Sequence, residues 1–198
     1  MEYVIHLQKD KKLARIIIEP LDALVMRKNI PLRLMASIMS QQLSTKVAKV
    51  IYQRFLDLYK GKEPNCTQVL ATDPTVLRSI GLSNAKVQYV QNVAAFCMEH
   101  KITDKTLAKM EDEAVIELLT QIKGVGRWTV EMLLMFTLGR EDVFALDDLG
   151  VQQAMIKLYK LDKEDKKALR TKMQLFSSKW QPYRTYACLH LWQWKDDV

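Results

Sequence analysis

Two adjacent carboxylates, Asp147 and Asp148, close an otherwise apolar loop, Asp142-Val143-Phe144-Ala145-Leu146-Asp147-Asp148-Leu149. A carboxylate fixed beside a carbon that gains positive charge stabilises that charge and orients a water molecule toward it. The competing use of the pair is structural. Aspartate accepts from the first amides of a helix, and Leu149-Gly150-Val151 could open one. Upstream lies Ile122-Lys123-Gly124-Val125-Gly126-Arg127-Trp128-Thr129. Two glycines around one apolar residue allow a turn with positive φ and a close backbone approach. The helix that follows starts with outward-pointing amides, which favour a phosphate. Such amides grip a nucleic-acid strand without reading its sequence. A plain helix–turn–helix corner is the alternative, although Lys123 and Arg127 add positive charge beside the turn.

The bulk properties suit this chemistry without proving it. Lysine and arginine number 30 against 23 acidic residues, a net charge of +7 in a chain of 198 residues. Net positive charge attracts polyanions. Cys66, Cys97 and Cys188 are far apart and odd in number, which argues for a reducing compartment and against a disulfide framework, a zinc site or an iron–sulfur cluster. His6, His100 and His190 form no motif. The start, Met1-Glu2-Tyr3-Val4-Ile5-His6, lacks the basic-then-apolar pattern of a secretory signal. No apolar run reaches the ~20 residues of a membrane span, so no membrane partner is expected.

The elements that must position these groups read as helices. Val47, Ile51, Phe55 and Leu58 make one apolar stripe over Thr45 to Tyr59. Asp73-Pro74 caps a helix through Ser79, stopped by Gly81. Asn84 to His100 is next, with Val87, Val90, Val93, Ala94 and Met98 inward. Glu111 to Gln121 follows, with Ala114, Val115, Leu118 and Leu119 apolar. After the glycine turn a helix runs from Arg127 to Leu138 and ends at Gly139. Helices resume through Tyr159, from Lys163 to Lys179 and from Pro182 to Trp194. Only Ala14 to Glu19 has strand-like residues, and it could equally end a first helix.

Taken in order, the motifs resemble a known family. Gly124-x-Gly126-Arg127-Trp128-Thr129, Asp142-Val143-Phe144 and Asp147-Asp148 resemble the signature of the helix-hairpin-helix DNA glycosylase superfamily. Three further segments agree: Ile38-Met39-Ser40-Gln41-Gln42-Leu43-Ser44, Ile80-Gly81-Leu82-Ser83 to Lys86, and Trp180-Gln181-Pro182-Tyr183-Arg184-Thr185-Tyr186-Ala187 to Trp192. Together they resemble the 3-methyladenine DNA glycosylase II branch. The resemblance implies an all-α, two-lobed fold with the active-site cleft between lobes. One unit would span 1–198, with lobes at 30–140 (hairpin 120–128) and at 1–29 plus 141–198. The extra N-terminal β-domain of the longer bacterial branch is not expected.

The same resemblance implies the roles. Asp148 would be catalytic, with Asp147 as helix cap or support. Leu43 would be the wedge that fills the gap left by a flipped nucleotide. Trp128, Met132 and Trp192 would line the base pocket. Lys123, Gly124, Val125, Gly126, Arg127 and Thr129 would hold the DNA backbone. The carbonyls of Thr120, Ile122 and Val125 would hold a sodium or potassium ion, with no other cofactor. Bifunctional members carry a lysine where this chain has Trp128, so base removal without strand cleavage is expected. Some relatives have an aromatic residue at Met132, and proline is common at Lys123. The implied activity is hydrolysis of the N-glycosidic bond of 3-methyladenine and 7-methylguanine in double-stranded DNA, in base excision repair, by a monomer. The location would be cytoplasmic and nucleoid-associated in a bacterium, nuclear in a eukaryote. A glycosylase for another lesion and a non-catalytic hairpin that binds DNA structure are the rivals.

Overall fold

The computed structural model describes residues 1–196. Among these residues every regular element is a helix. In chain order they are α1 Glu2–Leu7, α2 Ile30–Ser40, α3 Thr45–Asp57, α4 Cys66–Ala71, α5 Pro74–Ser79, α6 Asn84–Glu99, α7 Asp104–Ala108, α8 Asp112–Leu119, α9 Arg127–Phe136, α10 Leu149–Tyr159, α11 Lys166–Ser177 and α12 Arg184–Asp196. Short 3₁₀ turns occupy Leu13–Arg15 and Ser178–Trp180. No helix among the described residues is long and apolar enough to cross a membrane.

Local chemistry sets where most helices start. Ser44, Asn65, Asp73, Ser83, Thr103, Asp148 and Asp165 each accept a first-turn amide with the side chain. Such caps satisfy donors that the helix itself cannot. The chain divides into two compact units, Met1–Val25 with Leu134–Val198, and Met26–Leu133.

The unit Met26–Leu133 builds its core on α2 and α6, with α3, α4 and α5 packed on them. Met35, Ile38, Phe55, Val69, Leu77, Val90, Val93 and Val115 are fully buried there. The Asp104 carboxylate receives the amides of Asn29 and Ile30, each at 2.8 Å, and so fixes the start of α2. Cys66 and Cys97, 31 positions apart in sequence, meet thiol to thiol, and that hydrogen bond pushes the Cys97 thiol up.

The other unit is built on aromatic rings. Tyr3 stacks on Tyr186 with centroids 4.0 Å apart. Trp180 is buried against Phe144 and Tyr159. Asp10 ties this cluster together: its Oδ2 accepts from Tyr159 Oη (2.6 Å) and Trp180 Nε1 (3.2 Å), and its Oδ1 from the amides of Lys12 and Leu13. The segment Ala14 to Glu19 forms no strand. It leaves the 3₁₀ turn as irregular chain, with Ile18 exposed.

Two inward positions expected from periodicity face outward. Val47 sits in the first turn of α3 and is 45% exposed, because the core contact of α3 begins only at Ile51. Met98 lies near the end of α6 and is 46% exposed, with Thr67 Oγ1 3.6 Å from its sulfur.

Candidate active site

Asp148 is the N-cap of α10. Its Oδ1 accepts the Val151 amide at 2.8 Å. The same oxygen accepts the Trp192 indole N–H at 2.7 Å. Two donors on one oxygen fix both the χ angles and the plane of the carboxylate. The capping role that the sequence offered to Asp147 therefore belongs to Asp148. Asp147 is exposed and pairs instead with the Arg170 guanidinium. The reason is geometric: the capping residue immediately precedes the first helical residue, and α10 starts at Leu149.

Gly150 makes the second bond possible. A Cβ there would stand 2.9 Å from Trp192 Cδ1 and 3.0 Å from Nε1. Only a bare α-carbon lets the indole lie against the first turn of α10. Trp192 also stacks on Phe136, with centroids 5.9 Å apart and rings 27° from parallel. Phe136 is 41% exposed, so it is an accessible aromatic surface that the sequence reading missed. Its spacing of i+8 from Trp128 and i+4 from Met132 was the available signal.

The loop that delivers Asp148 is clamped by the start of the helix that delivers Trp192. Arg184 Nε and Nη2 reach Asp142 Oδ1 and Oδ2 at 2.7 and 3.0 Å. Thr185 Oγ1 donates to the Arg140 carbonyl at 2.7 Å and accepts the Val143 amide at 3.0 Å. Tyr186 Oη donates to Glu141 Oε1 at 2.9 Å. Gln152 closes the other end by donating to the Leu146 carbonyl. Two sequence motifs some forty residues apart are thus one clamp, which fixes the frame holding Asp148 and Trp192.

Within Met26–Leu133 the hairpin packs on α6. The hairpin turns at Gly124, φ +102°, where a Cβ would overlap the Tyr89 ring. Asn92 Nδ2 donates to the Lys123 carbonyl at 3.1 Å. Lys123 and Gly126 are exposed, and Val125 is the buried pin between the glycines. Arg127 is held by two carboxylates, Glu113 through both terminal nitrogens and Glu131 at 3.0 Å. Glu113 raises the Arg127 pKa and Arg127 lowers that of Glu113. A phosphate reaching Arg127 has to compete with Glu113. Thr129 is buried, and its hydroxyl accepts from Gln41 Nε2 at 3.3 Å. Its side chain braces the turn after α2 and does not face solvent.

That turn carries Leu43, an apolar side chain 37% exposed, next to Gln42 at φ +59°. Trp128 is 40% exposed and Met132 half-buried. The carbonyls of Thr120, Ile122 and Val125 are hard oxygen donors, the type an alkali cation takes. The Ile122 carbonyl accepts the Val125 amide at 3.0 Å and keeps a second lone pair. Among the described residues no group of three His, Cys, Asp or Glu side chains could hold a metal ion.

Residues 35–179 match the model of the HhH-GPD superfamily of base excision DNA repair proteins. The chain belongs to this superfamily. DNA-3-methyladenine glycosylase 1 of Schizosaccharomyces pombe is 37% identical over 164 residues, which cover 81% of this chain and 70% of that protein. Among solved structures, the 3-methyladenine DNA glycosylase Mag1 of Schizosaccharomyces pombe in complex with abasic DNA superposes with a TM-score of 0.84. It is 31% identical, and the match covers 98% of this chain and 96% of that one. A DNA-3-methyladenine glycosidase of Bacillus halodurans gives 0.83 at 33% identity, covering 98% and 88%.

As an HhH-GPD protein the chain is all-helical among its described residues, as its motifs implied. Asp148, Gly150, Trp192 and Phe136 come together in one unit. Leu43, the hairpin, Trp128 and Met132 lie in the other.

Proposed function

We propose that this protein is a monofunctional DNA glycosylase that hydrolyses the N-glycosidic bond of alkylated purines, 3-methyladenine and 7-methylguanine, in duplex DNA. The observation that carries the reading is the Asp148 carboxylate, held by the Val151 amide and the Trp192 indole in a chain of the HhH-GPD superfamily. Two relatives named for 3-methyladenine, the Schizosaccharomyces pombe glycosylase and the Bacillus halodurans glycosidase, support the substrate class. The first of them was solved on abasic DNA, which supports duplex DNA as the partner.

The chemistry follows from the residues. A base inside a duplex is out of reach and must be extruded. Leu43 is the apolar side chain on an ordered turn that fills the vacated stack. The hairpin around Gly124 and Gly126 takes a phosphate on the backbone amides that open α9, with Lys123 beside it. A sodium or potassium ion on the Thr120, Ile122 and Val125 carbonyls would add positive charge there. Breaking the glycosidic bond builds oxocarbenium character on the sugar. Asp148 stabilises that charge and orients the attacking water. An alkylated purine is itself cationic, and the indole faces of Trp128 and Trp192 attract such cations. The protein acts as a monomer. Trp128 stands where a lyase needs its amine nucleophile, so the strand stays intact.

The test uses duplex DNA treated with a methylating agent. Chromatography should detect free 3-methyladenine and 7-methylguanine, and a gel should show strand breaks only after alkali. Release of no alkylated base, with other damaged bases released, would move the enzyme to another lesion. Strand breaks without alkali would contradict the monofunctional reading.

A further inference from the structure

The Gly-Leu-Ser motif runs into the first turn of α6 and ends in Lys86, and the chemistry above gives that lysine nothing to do. Its ammonium does not point to solvent. Nζ donates to the carbonyl of Met39 at 3.0 Å and to that of Gln41 at 2.6 Å. These are the unpaired carbonyls at the C-terminal end of α2, immediately before Gln42 and Leu43. A cation there complements both the orphan carbonyls and the helix dipole. Gln42 keeps a left-handed conformation at φ +59° that a side-chain-bearing residue adopts only when its surroundings hold it. Gln41 is gripped a second time, by its side chain on Thr129.

One and two turns further along α6, Tyr89 and Asn92 hold the hairpin. Tyr89 fills the space under Gly124, and Asn92 binds the Lys123 carbonyl. Six residues of α-helix rise span about 9 Å. One helix therefore holds both the turn that bears Leu43 and the hairpin, at a fixed separation.

We infer that α6 acts as a ruler between these two DNA-contacting elements, with Lys86 as the positioning residue that keeps Leu43 presented for insertion. The inference rests on the glycosylase reading. Lys86 itself touches no substrate. It lowers the cost of extrusion by sparing the turn a rearrangement when the base leaves the stack. Its effect should scale with how firmly the base is paired, because flipping costs least when the base is already unpaired.

The experiment measures single-turnover release of 7-methylguanine from two duplexes, one with cytosine opposite and one with an abasic site opposite. Lys86→Met and Lys86→Gln should slow release by about tenfold or more on the paired lesion and by less than about threefold on the unpaired one, the difference reflecting extrusion alone. Lys86→Arg should restore most of the paired rate, since it keeps a cation with several donors. Affinity for undamaged duplex should stay unchanged. Equal slowing on both duplexes, no slowing on either, or variants that fail to fold would each make Lys86 something other than a positioning residue and overturn the inference. Wild-type protein that releases no base from either duplex would overturn the alkylated-purine reading on which the inference rests.

Discussion

Asp148 Oδ1 receives two hydrogen bonds, and the one from the Trp192 indole can be removed from either side. Trp192→Phe keeps the aromatic face and deletes the N–H donor. A hydrogen bond to a charged group contributes about 1.5–3 kcal/mol, so the excision rate should fall roughly tenfold to a hundredfold with DNA affinity unchanged. Single-turnover rates beside binding isotherms measure both. Gly150→Ala approaches the same bond from the other side. Its Cβ would stand 2.9 Å from the indole, so Trp192 must move off Asp148. A comparable loss of rate is expected, and full activity in Gly150→Ala would show that the contact does not matter. The sequence displayed Asp148 and Trp192 as separate motif residues. Their bond was not legible, because nothing in a linear spacing of 44 positions says which atom an indole N–H meets.

At the scale of elements, the helices themselves were readable, since caps and stops are local. Asp73-Pro74 opens α5, and α6 and α9 run close to their expected bounds. The short helices α4 and α7 were not foreseen, since six and five residues are too few to show a period. What also escaped was the joining of the Asp142 loop to the start of α12. Arg184→Ala leaves the Asp142 carboxylate without its paired hydrogen bonds. It should lower stability by about 1–3 kcal/mol in denaturant unfolding. It should also lower activity more than that loss explains, because Asp148 and Trp192 stand at the two ends of the clamp.

Also on α12, His190 is 1% exposed with neither ring nitrogen hydrogen-bonded. Burial lowers its pKa from the ordinary value of 6.5. The unfolded chain thus binds a proton more readily than the folded one. Stability should be complete above pH 6.5 and decline as pH falls toward the lower folded value. His190→Leu should flatten that part of the stability-versus-pH curve. A curve unchanged by the substitution would assign the acid sensitivity to other groups.

For the whole molecule, charge and motif order carried the functional reading further than any single residue. A net charge of +7 alone fits many proteins with no nucleic-acid partner. The ordered run of motifs from α2 to α12 narrowed it to one superfamily, which the match over residues 35–179 bears out. Phosphate contacts through the hairpin should appear as a steep salt dependence. About four such contacts weaken DNA affinity roughly a hundredfold between about 50 and 200 mM salt. A flat dependence would contradict backbone gripping by the hairpin.

The central claim is that the Asp148 carboxylate drives base removal, and Asp148→Asn tests it most directly. Asparagine caps a helix as well as aspartate does, and its carbonyl can take the place of Oδ1, so α10 and the Trp192 contact should survive. The measurement is single-turnover release of 7-methylguanine from methylated duplex by wild type and variant, with duplex affinity and melting temperature recorded for both. The prediction is release by the wild type, none measurable by the variant, and equal affinity and stability. Release by Asp148→Asn at the wild-type rate would contradict the account.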